Sequence, residues 1–460
     1  MTDLAIVESR ADPASVHICD RLRDLADWTV LEDDDRPPAD GGGTYYRLGD
    51  AELRSFETFH LELERPAAAF DGDPDLLVFA SRHSGETGPL LTGHFTGNFG
   101  PAEFGGEDGA VAEACPNALA RLLEAFDEYA PEGYEVGMEC THHGPTDVGC
   151  PSLFAELGSG EEQWDDPDGA DAVARAILEL RGVSPHRDEQ VVGFGGTHYV
   201  PRFERIVRET PWAVGHVGAE WALEAMGHPS ANRDVLEAAV ENSGTDLAVL
   251  DGEWPSLEEV LDDLDCRVVS ETWLREVGDR SLELVEAVET ALAPVDDGVR
   301  FGDRRAASVA VVDLPADLVD AAEGIDPDRV REVVERHTVA FATENGASRV
   351  GSRVAVPEAG DDERGDGDGD SERNGAGHDA RETIVAELAT VLEAKYDAVT
   401  VTEDAVVAER TAFDPALARE AGVPEGPKFG ALANGEQVTV DGERIDPERV
   451  RTRRTVRFPT

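Results

Sequence analysis

Lysine is all but missing from this chain: Lys395 and Lys428 are the two in 460 residues, and the other basic positions are arginine. With 40 basic against 98 acidic side chains, the formal net charge is -58. In dilute salt such self-repulsion would destabilise the compact state. At molar salt the Debye length shrinks to about 3 Å and most of it is screened. Because the acid is spread along the whole chain and not gathered in a tail, the source is expected to be an extreme halophile that accumulates salt in its cytoplasm. Nucleic acid, if it is bound, cannot be held by overall charge.

Cysteine is also scarce. Cys19, Cys115, Cys140, Cys150 and Cys266 are odd in number, widely spaced and form no Cys-x-x-Cys, which excludes a disulfide framework and a structural zinc finger. The first residues, Met-Thr-Asp-Leu-Ala-Ile-Val, have no basic region, and nowhere do about 18 apolar residues run together, so no membrane partner is expected. A soluble, cytoplasmic protein is the expectation, and its charge favours a monomer.

Short apolar runs alternate with helical patterns. Leu4 to Val7 reads as a strand, followed by a helix near Ser15. The continuous run Leu76 to Ala80 marks a strand buried on both faces. A helix opens at Pro116 and stops near Pro131; strand Tyr134 to Cys140 follows, placing Glu139 and Thr141 on one face. A helix at Asp168 to Leu180, strands at Val191-Val192, Trp212 to His216 and Leu247 to Leu250, and a helix at Val235 to Val240 continue the alternation. This order predicts an α/β fold, a three-layer α/β/α arrangement around a mixed sheet. Helices are further expected near Leu257 to Leu264, Ser281 to Leu292, Asp328 to His337 and Arg381 to Tyr396, and a turn and short hairpin between Val423 and Val450. Glu358 to Asp379, rich in Asp and Gly, cannot bury a core and reads as a disordered linker. The run Arg449 to Arg457 is the strongly basic stretch of the chain.

Histidine is concentrated at strand exits, where open α/β sheets present their chemistry. Glu139-Cys140-Thr141-His142-His143-Gly144-Pro145 joins two imidazoles, a carboxylate and a hydroxyl to a Gly-Pro turn; Ser81 to Asn98 and Gly193 to Phe203 are exits of the same kind. His83, His94, His142, His143, His198 and His216, with Glu86 and Glu139, suffice for one or more zinc sites with an open position for water. No His-x-x-x-His pair occurs, so any such site must be assembled from separate loops. The same imidazoles suit acid-base work on an ester, with Gly195, Gly196 and Thr197 offering backbone N–H groups to an oxyanion. Thr141, Thr197, Ser84 or Ser15 are alternative nucleophiles, although no Gly-x-Ser-x-Gly elbow is present. Gly193-Phe194-Gly195-Gly196 mimics a dinucleotide fingerprint only in part: its third glycine is misplaced, and His198-Tyr199-Val200-Pro201 interrupts the helix such a motif requires.

Taken together, Asp12-Pro13-Ala14-Ser15, Ser81 to Glu86, His94 to Asn98, Thr141 to Thr146, Gly193 to Phe203 and Gly215-His216 make the chain resemble the archaeal and plant type of D-aminoacyl-tRNA deacylase. The resemblance implies a fold of the phosphorylase and peptidyl-tRNA hydrolase kind, zinc as cofactor, and hydrolysis of the ester joining a D-amino acid to tRNA, a proofreading activity. It implies a catalytic domain over residues 1–300, a lineage-specific α/β insertion over 301–357, the linker 358–379, and a C-terminal helix and hairpin over 380–460 that includes the family-like stretch Gly426 to Leu432. His83, His142, His143, Thr141 and His198 are expected at the scissile ester, with His83, Glu86, His94, Glu139, His142 and His216 as candidate metal ligands. Ser15, Ser84, Gly195, Gly196, Thr197, Tyr199, Arg451, Arg453 and Arg454 are expected to bind the RNA substrate; no DNA partner is expected. A non-catalytic tRNA- or nucleotide-binding module and a small-molecule metallohydrolase are the alternatives.

Overall fold

The computed structural model describes residues 3–278, 280–358 and 375–460. The chain divides into two compact units, Met1–Asp279 and Arg280–Thr460.

In the first unit the elements up to residue 178 are β1 (Leu4–Ser9), α1 (Pro13–Leu25), β2 (Thr29–Asp33), β3 (Gly43–Leu48), β4 (Ala51–Phe56), β5 (Leu76–Arg82), β6 (Leu90–His94), β7 (Gly97–Asn98), β8 (Ala110–Val111), α2 (Pro116–Tyr129), β9 (Glu135–Met138), β10 (Ser152–Gly158), α3 (Glu161–Trp164) and α4 (Pro167–Leu178). They build an eight-stranded mixed sheet in the order β2-β3-β4-β1-β5-β10-β6-β9. Its centre is parallel, β4-β1-β5-β10, and β6 then runs antiparallel to β10. Period-two alternation decides what each face buries. Ala5, Val7, Leu77 and Phe79 face a layer of short turns that contributes Leu63, Ala67 and Phe70, whereas α1, α2 and α4 pack against one another as a helical layer. The helices start where their sequences direct: Asp12 caps α1, and Pro stands in the first turn of α1, α2 and α4.

A second, fully parallel sheet, β12-β11-β13-β14, follows, made from β11 (Gln190–Gly195), α5 (Pro201–Glu209), β12 (Ala213–Gly218), α6 (Glu220–Met226), α7 (Arg233–Asn242), β13 (Leu247–Asp251), α8 (Pro255–Asp262), β14 (Arg267–Val268) and α9 (Glu271–Val277). The mixed α/β class expected from the alternation is the one observed. Pro201, expected to interrupt a helix, instead opens α5, since its missing N–H costs nothing at the first position.

The two sheets of this unit meet just past β9. Beyond Met138 the chain stays extended: Cys140 N–H donates to His198 O at 2.9 Å, and Thr141 N–H to Val217 O at 2.9 Å. The exit of the first sheet is thereby stitched to the exits of β11 and β12.

The second unit holds α10 (Leu282–Ala291), β15 (Val299–Phe301), β16 (Val309–Asp313), α11 (Ala316–Glu323), α12 (Pro327–His337), β17 (Ala340–Glu344), β18 (Arg349–Pro357), α13 (Gly375–Leu392), β19 (Ala398–Val401), β20 (Ala405–Phe413), α14 (Pro415–Glu420), α15 (Pro427–Ala433), β21 (Val438–Val440), β22 (Glu443–Ile445) and β23 (Arg451–Pro459). An antiparallel sheet β15-β17-β18-β16 shares a core with α11, α12 and α13. Of the expected linker, residues 359–374 lie outside those described, and α13 already runs from Gly375. The stretch from Pro427, read as a turn, is the helix α15, again with proline in its first turn. The basic run forms β23, paired with β20 over nine residues.

Among the described residues no helix is long and apolar enough to cross a membrane.

Candidate active site

Three imidazoles stand together where β6 ends and the chain leaves β9. His94 Nδ1 lies 3.0 Å from Phe95 O, His142 Nδ1 2.9 Å from Cys140 O, and His143 Nδ1 2.7 Å from Gly144 O. A carbonyl can only accept, so each ring carries a proton on Nδ1, and in its neutral form offers Nε2 as the lone pair. One ring nitrogen from each of the three lies within 4.8 Å of the others. His94 Nε2 is buried and has no hydrogen-bond partner among the described residues, which in a native interior calls for an unseen one. Tethering the far nitrogen to a backbone carbonyl is how metal-bound histidines are usually oriented. The donor set therefore fits a divalent cation. His143 reaches its place at a φ of 46°, a strained value for a residue with a Cβ and one that clusters at functional sites.

Glu139 is the hub beside them. Its Oε2 accepts from His198 Nε2 at 2.7 Å and lies 3.8 Å from His142 Nε2, and its Oε1 is 3.7 Å from His83 Nε2. The carboxyl is buried, which by itself raises its pKa, but the bond from His198 and the neighbouring His142, His94 and His83 hold it well below the usual carboxylate range. Burial, reinforced by His94 for both and by His143 for His142, pushes His142 and His143 well down, so both stay neutral at pH 7. Burial also lowers His94, but Glu156 and Glu139 more than offset it and its pKa is raised. Burial raises Glu156, whose Oε1 is 3.6 Å from His94 Nε2.

His83 Nδ1 is 2.9 Å from Ser159 Oγ, and its Nε2 is 3.3 Å from the Tyr199 hydroxyl. A second group able to hold a cation shares His142 and adds Cys140 and His198; burial first, and then Glu139, push that thiol up to about 12, so it is protonated at neutral pH. An open cavity of about 430 Å³ is lined by His83, Glu139, His142, His143, Glu156 and His198, among others.

The expected residues divide cleanly. His83, His94, Glu139, His142, His143, His198 and Tyr199 come together, and Ser84 lies on the cavity wall. His216 does not serve as a ligand: its Nε2–H donates to Ala112 O at 2.7 Å, leaving Nδ1 to accept from Thr141 Oγ1 at 3.0 Å. Thr141 Oγ1 also accepts from Val217 N–H at 3.1 Å, so this hydroxyl pins the sheet junction and is no free nucleophile. Ser15 is buried, accepting from Ser9 N–H at 2.9 Å and facing His60 Nε2 at 3.4 Å, out of a substrate's reach. Glu86 and Thr197 are exposed and have no side-chain partner among the described residues. Gly195 and Gly196 have φ of 95° and 78°, and a Cβ on Gly195 would stand 2.0 Å from Asp251 O; their glycines let the turn clear β13 and return His198 to Glu139. Arg451, Arg453 and Arg454 belong to the second unit.

The family model described as D-aminoacyl-tRNA deacylase matches residues 70–269, which carry all of the cluster. A D-aminoacyl-tRNA deacylase of Halorubrum lacusprofundi is 52% identical over 99% of this chain and 96% of its own length. One of Natronomonas pharaonis is 50% identical over 99% of both chains. The chain belongs to the D-aminoacyl-tRNA deacylase family. A deacylase of Methanococcoides burtonii, 31% identical, is still matched over 98% of this chain and 95% of its own. The crystal structure of a conserved protein of unknown function is 27% identical with a TM-score of 0.53, covering 60% of this chain and 97% of that one. The halophilic archaea among these relatives agree with the acid excess of the sequence.

Within this deacylase two carboxylates beside the site were given no role from sequence, although Asp12 lies in the stretch Asp12-Pro13-Ala14-Ser15 that carries the resemblance. Glu156 was discernible as a lone carboxylate inside the apolar run Leu153-Phe154-Ala155-Glu156-Leu157, where burial demands a partner. Asp12, which caps α1 and also accepts from Arg82 N–H at 3.0 Å, ties the first helix to the exit of β5; no local pattern announces that second bond.

Proposed function

We propose that this protein hydrolyses the ester linking a D-amino acid to tRNA, releasing free D-amino acid and tRNA, and so keeps D-residues out of translation. The observation that carries the reading is the set of three tethered imidazoles beside the buried Glu139, within a chain whose full-length relatives carry the deacylase name.

His94, His142 and His143 would hold the cation, and a set of three imidazoles suits zinc. When bound, zinc supplies Lewis acidity that polarises an ester carbonyl or acidifies water.

The remaining chemistry belongs to the chain. Glu139 fixes His198 with Nε2 protonated, so Nδ1 is the basic nitrogen. It accepts a weak contact from the protonated Cys140 thiol at 3.5 Å, which the attacking water would replace before giving Nδ1 a proton that passes on to the departing ribose oxygen. At 35% side-chain exposure His198 is more accessible than His83, His94 or His142, as a base exchanging protons with solvent must be. The Tyr199 hydroxyl and His83, within 3.3 Å of each other, form a polar wall able to hold the ester or its ribose.

Release of amino acid from D-tyrosyl-tRNA and L-tyrosyl-tRNA in molar potassium chloride tests the reading. Cleavage of the D-ester alone, lost on chelation and restored by zinc, is expected. No cleavage of either ester would overturn it.

A further inference from the structure

Arg82 is the last residue of β5 and stands on the wall of the cavity beside His83 and Ser84. Its guanidinium lies 5.0 Å from the ring centre of Phe59 and 5.1 Å from that of Trp164, between two aromatic surfaces. The Trp164 wall is fixed: its Nε1–H donates to His83 O at 2.9 Å, and its own carbonyl accepts from His17 Nδ1 at 2.9 Å. The base of Arg82 is fixed as well, by its N–H to Asp12 Oδ2.

Among the described residues the Arg82 guanidinium makes no ion pair and no hydrogen bond. That is a pointed omission in a chain with 98 acidic side chains, where Arg23, Arg54 and Arg205 are held by Glu8, Glu52 and Glu271. The cavity's own carboxylates, Glu139 and Glu156, face imidazoles. Asp12, near enough to feel the Arg82 charge, spends its oxygens on the backbone N–H groups of Ala14, Ser15 and Arg82 and makes no bond to the guanidinium. A cation kept rigid, half-buried and unpaired beside the reactive groups is built for an anion brought by the ligand. With its faces near aromatic rings, its N–H edges remain to grip two oxygens at once.

The substrate narrows the choice. At the end of an aminoacyl-tRNA the amino acid carries a cationic ammonium and a neutral ester, so, acidic side chains apart, the anions common to every substrate there are phosphodiesters. We infer that Arg82 binds a backbone phosphate of the RNA acceptor end, an assignment that rests on the deacylase reading above. The device suits molar salt, where counterion release adds little and direct bonds and stacking must carry RNA binding.

The test compares wild type with Arg82→Gln and Arg82→Lys in molar potassium chloride. It measures binding of the trinucleotide CpCpA, binding of free D-tyrosine, and kinetics on D-tyrosyl-tRNA. Loss of a charge-assisted bidentate contact should weaken CpCpA binding by about tenfold and raise KM by a similar factor. Meanwhile kcat should stay within about twofold, because the contact persists in the transition state. Lysine, which neither stacks nor grips two oxygens, should restore only part of the loss and serves where the glutamine variant fails to fold. CpCpA binding unchanged in Arg82→Gln, a fall in kcat at constant KM, or a loss confined to free D-tyrosine would each overturn the assignment. CpCpA binding that depends on Arg82 in a wild-type protein without turnover would support the phosphate site and remove the deacylase reading instead.

Discussion

Glu139 and His198, 59 residues apart in sequence, meet at 2.7 Å where the exit of the first sheet is joined to the exit of the second. The carboxylate sits at 1% exposure and the imidazole on the open side of the cavity. An imidazole so paired is fixed in tautomer and orientation before any substrate arrives. Glu139→Gln keeps the size of the side chain but offers His198 a weaker, uncharged acceptor. A loss of about 10- to 100-fold in kcat is expected, with KM little changed, as for groups that orient catalytic side chains. Single-turnover kinetics on D-tyrosyl-tRNA would check it; unchanged kcat would remove Glu139 from the mechanism.

The cluster and His216 should separate under substitution. Alanine at His94, His142 or His143 removes one of three tethered donors, and bound zinc should fall from about one ion per chain to a fraction of that. His216→Ala should keep the metal yet lose on the order of 3 kcal/mol of stability, because it deprives Thr141 Oγ1 and Ala112 O of their buried partner. Metal analysis after dialysis, set beside urea midpoints, distinguishes the two classes. A His216 variant that loses metal at full stability would contradict this division.

How much of this was legible beforehand follows from the range of each interaction. The histidines at strand exits stood out because a Gly-Pro turn after an apolar run is a local signal, and the main strands of the parallel core were marked by their apolar runs. Strands β2 to β4 went unread, since Thr29–Asp33 is half-exposed and carries little apolar alternation. The pairing of Glu156 with His94 depends on β10 lying between β5 and β6, with Phe154 opposite His94, a register no short window contains. Thr141 and His216 were grouped with the reactive residues for a related reason: residue type shows that a hydroxyl and an imidazole are present, but only the crossing between sheets shows that they satisfy each other.

Stability should depend on pH through His216. Burial, opposed only in part by the bond to Ala112, lowers its pKa to about 4. The folded-state value thus lies below the unfolded value of about 6.5, and the unfolded chain binds more protons between the two. The stability from keeping His216 neutral is therefore fully present above about pH 6.5 and is lost as the pH falls toward 4. Asp12 and Glu156, raised by burial, act in the opposite sense, so wild type alone does not isolate the effect. The difference in urea midpoint between wild type and His216→Asn should be largest at pH 7 and shrink by pH 5. A constant difference would show that His216 is not held neutral by the fold.

The basic strand of the second unit makes the last prediction. In β23, Arg453 is paired with Glu409 and Arg457 with Asp404, so half of that charge is answered within the sheet. Arg454 is exposed and has no ion-pair partner among the described residues, and Arg451 touches Glu448 only at 4.0 Å. Because β23 is the edge of the order β19-β20-β23, charge there also discourages edge-to-edge association. If these arginines contact tRNA, Arg451→Gln combined with Arg454→Gln should raise KM for D-tyrosyl-tRNA by a few-fold and flatten its salt dependence by up to about two units of slope, with kcat unchanged. Equal KM and equal slope, together with new self-association on gel filtration, would assign the strand to edge protection and leave substrate binding to the first unit.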